Sequence, residues 1–140
     1  MLISETKIRV RYGETDQMGY VYYGNYASYY EVARADMMRQ MGTSYKEMEE
    51  MGCMMPMVAM NVRFLKPAKY DDVLRIKTTV SKMPASRMTF LYEVYNDENG
   101  QLINTAETTL AFINAKTFRA MRAPHWFLNI IEKYWDKFNQ

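Results

Sequence analysis

Asp16, Glu31, Cys53 and His125 carry side chains suited to acid-base or nucleophilic chemistry, and their spacing limits what each can do. Asp16 lies in a turn-rich stretch, Gly13 to Gly24, between a strand-like and a helical segment. An aspartate in such a place ordinarily bonds nearby backbone N–H groups as a turn or capping residue. Held against a substrate, the same carboxylate is a general base or a nucleophile. Glu31 falls inside the helical segment, where pairing with Arg34 or Arg39, or facing solvent, competes with the role of a second catalytic carboxylate. Cys53 and His125 have the residue types of a thiol-imidazole dyad, but nothing in the sequence places them together. A lone cysteine is usually a small buried apolar group, and His125 follows Pro124 at a helix start, where a surface or cap-region residue is expected.

The elements that must position these groups come from one domain-sized chain. Its 140 residues bury roughly 70% of the surface the unfolded chain exposes, enough for a core without staples. With 49% apolar and 24% charged residues, the composition is that of a globular protein. The 14 methionines read as core packing, since Met fills irregular gaps. One cysteine excludes an internal disulfide and a multi-cysteine metal site, and it fits a reducing cytoplasm. Glu5, Lys7 and Arg9 interrupt the N-terminus where an export signal needs an apolar run, and Pro56 breaks the longest apolar stretch, so neither export nor a membrane span is expected. The formal charge of +2 is dispersed and no basic stripe carries interleaved aromatics, which argues against nucleic acid as a partner.

Periodicity gives the order strand, helix, strands, helix. Residues 5–12 alternate Ile8, Val10 and Tyr12 with Lys7, Arg9 and Arg11, a half-buried strand. From Asn25, which can cap a helix, Tyr26, Tyr30, Ala33, Met37 and Met41 form one stripe that ends at Gly42. Thr43 or Ser44 can cap a short second helix ended by Gly52. Strands are expected over 58–65, 73–80 and 87–96, and NDENG at 96–100 turns the chain into a last strand reaching Asn114. Pro124 suits the first position of a final helix carrying Phe127, Ile131, Tyr134 and Phe138. One long helix and strands able to close a sheet make an α+β domain spanning residues 1–140, and pattern alone goes no further.

Residues 11–39, RYGETDQMGYVYYGNYASYYEVARADMMR, resemble the signature of the 4-hydroxybenzoyl-CoA thioesterase family, which includes the Tol-Pal-associated acyl-CoA thioesterases. The matching positions are Asp16, Gly19, Tyr22, Tyr23, Asn25, Tyr26, Glu31, Ala33 and Arg34. VRFLKPAKYDDVL at 62–74 looks like the family's strand, Pro, Asp and strand passage. The resemblance implies a hotdog fold: a curved antiparallel sheet wrapped around one long central helix, here with a C-terminal helix, and active sites at a dimer interface.

It also implies hydrolysis of an acyl-CoA to acid and CoA, without metal or cofactor, CoA being part of the substrate. Asp16 is then the base or nucleophile, and the backbone N–H of Tyr23 polarises the thioester carbonyl at the positive end of the helix. Gly19 and Gly24 fit a close backbone approach to the ligand. Tyr22 and Tyr26 are placed to line an acyl pocket, and Asn25 to make a polar contact near it. Ser86 and Arg87, entering a strand after a turn, are candidates for the pantetheine or phosphates of CoA, although a strand-end arginine is commonly solvated. Met60, Asn61 and Val62 are the wall expected across the interface of a homodimer or a dimer of dimers, a tetramer. Tol-Pal-associated members commonly carry His where this chain has Tyr23, a difference that removes a side-chain acid while keeping the backbone donor. Rival readings are a hotdog hydratase or dehydratase, which usually pairs a carboxylate with a histidine, and a non-catalytic acyl-CoA-binding module.

Overall fold

The structure, a computed structural model, describes residues 1–137. In chain order its elements are β1 (Leu2–Arg9), α1 (Asn25–Gln40), α2 (Tyr45–Glu50), β2 (Cys53–Met54), β3 (Met57–Phe64), β4 (Val73–Val80), β5 (Arg87–Asn96), β6 (Leu102–Ala111), β7 (Ile113–Asn114) and α3 (His125–Tyr134). Five strands form one antiparallel sheet in the order β1-β4-β5-β6-β3. Alternation on β4 and β5 buries Leu74, Ile76 and Val80 beside Phe90, Tyr92 and Val94, and α1 packs against β1 and β4. The helix presents the expected stripe, Tyr26, Tyr30, Ala33, Met37 and Met41, widened by Tyr29, Arg34 and Met38 because a sheet that curves round a helix covers more than one stripe of it. This is the hotdog arrangement.

Polar groups inside the core fix how the helix sits on the sheet. The Tyr30 hydroxyl donates to Asn104 Oδ1 at 2.8 Å. Arg34 Nη1 donates to the Tyr92 hydroxyl at 3.2 Å, and that hydroxyl is 2.6 Å from Thr108 Oγ1. Buried groups of this kind must find partners, so a slipped helix would orphan several of them at once.

Element ends differ from the pattern reading for identifiable reasons. β1 runs from Leu2 to Arg9 rather than over 5–12; Tyr12 enters a 3-10 turn, Tyr12–Glu14, and is 77% exposed. Glu14 ends the strand by taking the Arg11 backbone N–H onto its carboxylate at 2.8 Å. The last long strand stops at Ala111; beyond the buried Phe112, Ile113–Asn114 pair instead with Cys53–Met54, a ribbon the sequence did not reveal. Pro124 is the cap before α3 rather than its first residue, its carbonyl accepting from the N–H groups of Phe127 and Leu128. Asn25 is the first helical residue rather than the cap, and no side chain caps α1. β3, the strand expected to carry an interface wall at Met60, Asn61 and Val62, is exposed along its length in the single chain except for a half-buried Val62. Phe138, assigned to the last helix, lies outside the described residues.

Candidate active site

Glu14 organises the approach to the helix. Its carboxylate accepts from the Tyr29 hydroxyl at 2.9 Å and from Arg11 Nη2 at 3.2 Å, while its carbonyl accepts from the Tyr22 N–H at 2.9 Å and Asn25 Nδ2 at 2.8 Å. Burial pushes the Glu14 carboxyl up, but the Arg11 backbone N–H, the Tyr29 hydroxyl and the Arg11 guanidinium outweigh it and hold it below its ordinary value. Burial, reinforced by Glu14, drives the Tyr29 phenol far above its usual range. Sequence reading passed over Glu14; the clue was a Glu three residues after Arg11, where a side chain can reach back to the backbone.

The next turn presents Asp16. Gly19 N–H donates to the Asp16 carbonyl at 2.9 Å, and Asp16 N–H donates to the Tyr20 carbonyl at 2.8 Å, closing a loop that Gly19 completes with a φ of +80°. Gly19 is therefore required by the turn. Asp16 Oδ1 accepts from the N–H groups of Met18 at 2.9 Å and Tyr20 at 3.3 Å. Among the described residues Oδ2 has no hydrogen-bond partner, so the half-buried carboxylate has one oxygen anchored and one open.

The chain then enters α1 through Tyr22, Tyr23 and Gly24. The N–H groups of Asn25 and Tyr26 fold back on the carbonyls of Tyr22, at 2.9 Å, and Tyr23, at 3.2 Å. Among the described residues, the N–H groups of Tyr23 and Gly24 have no acceptor. Two free donors at the start of a 16-residue helix are suited to a developing negative charge. Gly24 has an ordinary helical φ of −63°, so the backbone does not call for glycine; a Cβ there would meet the Tyr22 ring at 2.8 Å and displace that exposed ring.

Asp16, Met18, Tyr20, Val21, Tyr23 and Tyr26 line a cavity of about 410 Å³ whose opposite wall is Phe64 to Ala68. The Val21 N–H donates to the Ala68 carbonyl at 2.8 Å and holds that wall in place. Burial pushes the Tyr26 phenol up to about 12. The wall residues, Phe64 above all, were recognised in the sequence only as a strand and proline passage, because nothing local connects 64–68 to residue 16. Of the expected substrate-binding residues Tyr26 lines the cavity, whereas Gly19, Tyr22, Gly24 and Asn25 belong to the adjoining loop and helix start and do not line it. Met60, Asn61 and Val62 do not line it and lie along the exposed β3, and Ser86 and Arg87 line a separate cavity with Lys82 and Thr89.

The remaining candidates are elsewhere. Glu31 is exposed and makes no ion pair among the described residues; Arg34, its expected partner, turns inward to Tyr92. His125 is exposed at the start of α3, while Cys53 is buried in β2, where desolvation pushes its thiol up despite a backbone hydrogen bond at Ile113. Among the described residues, no three His, Cys, Asp or Glu side chains gather as a metal site, and no helix is long and apolar enough to cross a membrane.

A carboxylate with one open oxygen and the start of a long helix with two unpaired N–H groups share this cavity, in a helix and curved antiparallel sheet of the hotdog class. The model of the thioesterase-like superfamily matches residues 10–131, and the chain belongs to that family. It is 30% identical over 117 residues to the acyl-CoA thioester hydrolase YbgC of Escherichia coli, covering 84% of this chain and 87% of that one. It is 39% identical to the DHNA-CoA thioesterase of Staphylococcus aureus, with a TM-score of 0.88 over 97% of this chain and 91% of that one. A mutant 4-hydroxybenzoyl CoA thioesterase complexed with 4-hydroxybenzoyl CoA shares the fold, with a TM-score of 0.82 at 24% identity over 91% of this chain and 97% of that one.

Proposed function

We propose that this protein hydrolyses an acyl-CoA thioester to a free carboxylic acid and CoA, with Asp16 as the catalytic carboxylate. The observation that carries the reading is the shared cavity of Asp16 and Tyr23 at the start of α1. With the thioester carbonyl against the Tyr23 N–H, Asp16 Oδ2 takes a proton from water as the water oxygen bonds to the carbonyl carbon. The displaced electron pair rests on the carbonyl oxygen until collapse expels the CoA thiolate, which takes up a proton. Direct attack by Asp16 on the carbon, followed by hydrolysis of the mixed anhydride, uses the same geometry. Both routes leave the anchored Oδ1 in place.

Relatives named for aromatic CoA thioesters favour an aromatic acyl group. The working assembly is a homodimer or a dimer of dimers in which the exposed β3, with Met60, Asn61 and Val62, supplies a wall across the interface. A reducing cytoplasm suits a chain with a single buried cysteine. Ser86 and Arg87, beside Lys82, are the candidates for the CoA phosphates. The test is a panel of aromatic and medium-to-long acyl-CoAs assayed for thiol release, wild type beside Asp16→Asn, with and without a chelator. Release from at least one acyl-CoA, unaffected by chelation and lost in the variant, is expected. No release across the panel, or loss on chelation with recovery on adding a divalent metal, overturns it.

A further inference from the structure

A second cavity, of about 280 Å³, opens between α1, α2 and β2, away from Asp16; Arg34, Tyr45, Met48, Met54, Met55 and Leu110 are prominent in its lining. Arg34 is only 6% exposed. Its Nη1 has one neutral partner, the Tyr92 hydroxyl, its Nε has none, and no carboxylate pairs with it among the described residues. The buried Tyr45 hydroxyl lies beside Arg34 and interacts with it, but has no hydrogen bond of good geometry. A buried guanidinium without an anion, satisfied only by neutral phenols, is unfavourable, and both Arg34 and Tyr45 line the same cavity. Its other walls are thioether and aliphatic, with Cys53 beside them. Glu31 and Glu49 complete the lining, but both are exposed, so solvent screens them; their charge disfavours a dianion such as phosphate more than a single carboxylate.

We propose that this cavity binds a small monocarboxylic acid, its carboxylate on Arg34 and Tyr45 and its apolar body against Met48, Met54, Met55 and Leu110. A planar guanidinium is the side chain best matched to a carboxylate, and methionine adapts to apolar bodies of varied shape. The acid released by the proposed reaction belongs to this chemical class. To that extent the inference rests on that reading, and the site then senses product.

The three wall methionines supply a local readout. In protein carrying 13C-methyl methionine, benzoate should shift the Met48, Met54 and Met55 signals saturably. Met18, in the Asp16 cavity, reports binding there separately. Benzyl alcohol, of similar shape but neutral, should bind about tenfold more weakly or worse, and Arg34→Met should bring benzoate to the same level. Met55→Trp, which fills the cavity from its wall, should abolish the Met48 and Met54 shifts if Arg34→Met fails to fold. Unmoved Met48, Met54 and Met55 signals, equal affinity for benzyl alcohol, or undiminished benzoate binding in Arg34→Met overturns the inference. None of these measurements depends on turnover, so a protein inactive on every acyl-CoA still passes or fails them.

Discussion

At the scale of single residues, the proposed division of labour separates a side chain from a backbone group. Tyr23 is 66% exposed, and its N–H has no acceptor among the described residues, so in the proposed mechanism the N–H rather than the phenol holds the carbonyl. Tyr23→Phe should therefore keep most activity, while Asp16→Asn should lose on the order of a hundredfold in kcat, the scale of a positioned acid-base group, with little change in acyl-CoA affinity. Steady-state kinetics with direct binding on both variants checks this; a crippled Tyr23→Phe would assign the acid to the phenol. Glu14 makes a different prediction. Its folded pKa lies below the ordinary value of 4.5, so its contribution to stability is present above that value and is lost as pH falls through the folded pKa. Glu14→Gln should be less stable than wild type near pH 7, the gap closing from about pH 4.5 downward, as denaturant titrations across pH would record. The turn position of Asp16 was legible in the sequence, since a carboxylate, a glycine turn and a helix start are neighbours in the chain, but its proposed catalytic role came from the family resemblance of residues 11–39. Glu14 was not, since its partners Tyr29 and Asn25 become neighbours only when the helix folds back on the loop.

At the scale of elements, α1 was legible because an apolar stripe at helical spacing is a local signal, and Gly42 closes the second-helix junction with a φ of +83° as its position suggested. Ser44 caps α2 by accepting the Glu47 N–H at 3.0 Å, so Ser44→Ala should cost about 1 kcal/mol of stability in a denaturant titration. The β2–β7 ribbon was illegible for the opposite reason: two residues per strand leave no period to detect, and the pairing joins Cys53 to Asn114 across half the chain. Ala33 shows what tight packing demands. It has no exposed surface, and Ala33→Leu should destabilise by roughly 1–3 kcal/mol through overpacking, read as a lower denaturation midpoint.

For the whole molecule, the unusual element is β3. It forms one edge of the sheet, and Met57, Val58 and Met60 are exposed along it, with Phe64 56% exposed at its end. An apolar edge strand invites pairing or covering by another chain. The alternation on β3 was readable, but alternation does not say what covers a strand, because a face reserved for a partner carries the same pattern as a core face; the interface expectation for Met60, Asn61 and Val62 followed from the family resemblance. Light scattering should find wild type at least dimeric. Val58→Lys with Met60→Lys should shift it toward monomer and lower thiol release, if the second chain completes the site; a fully active monomer would separate assembly from function.

The burial of Cys53 has a practical corollary for every such assay. A disulfide reagent reads CoA as it leaves the enzyme, and the folded protein contributes almost no signal of its own, because its one thiol is enclosed and protonated. Colour that develops slowly without substrate then reports the opening that uncovers Cys53, at the β2–β7 ribbon or at the cavity beside it. The same cuvette that times turnover also clocks how often that corner of the molecule opens.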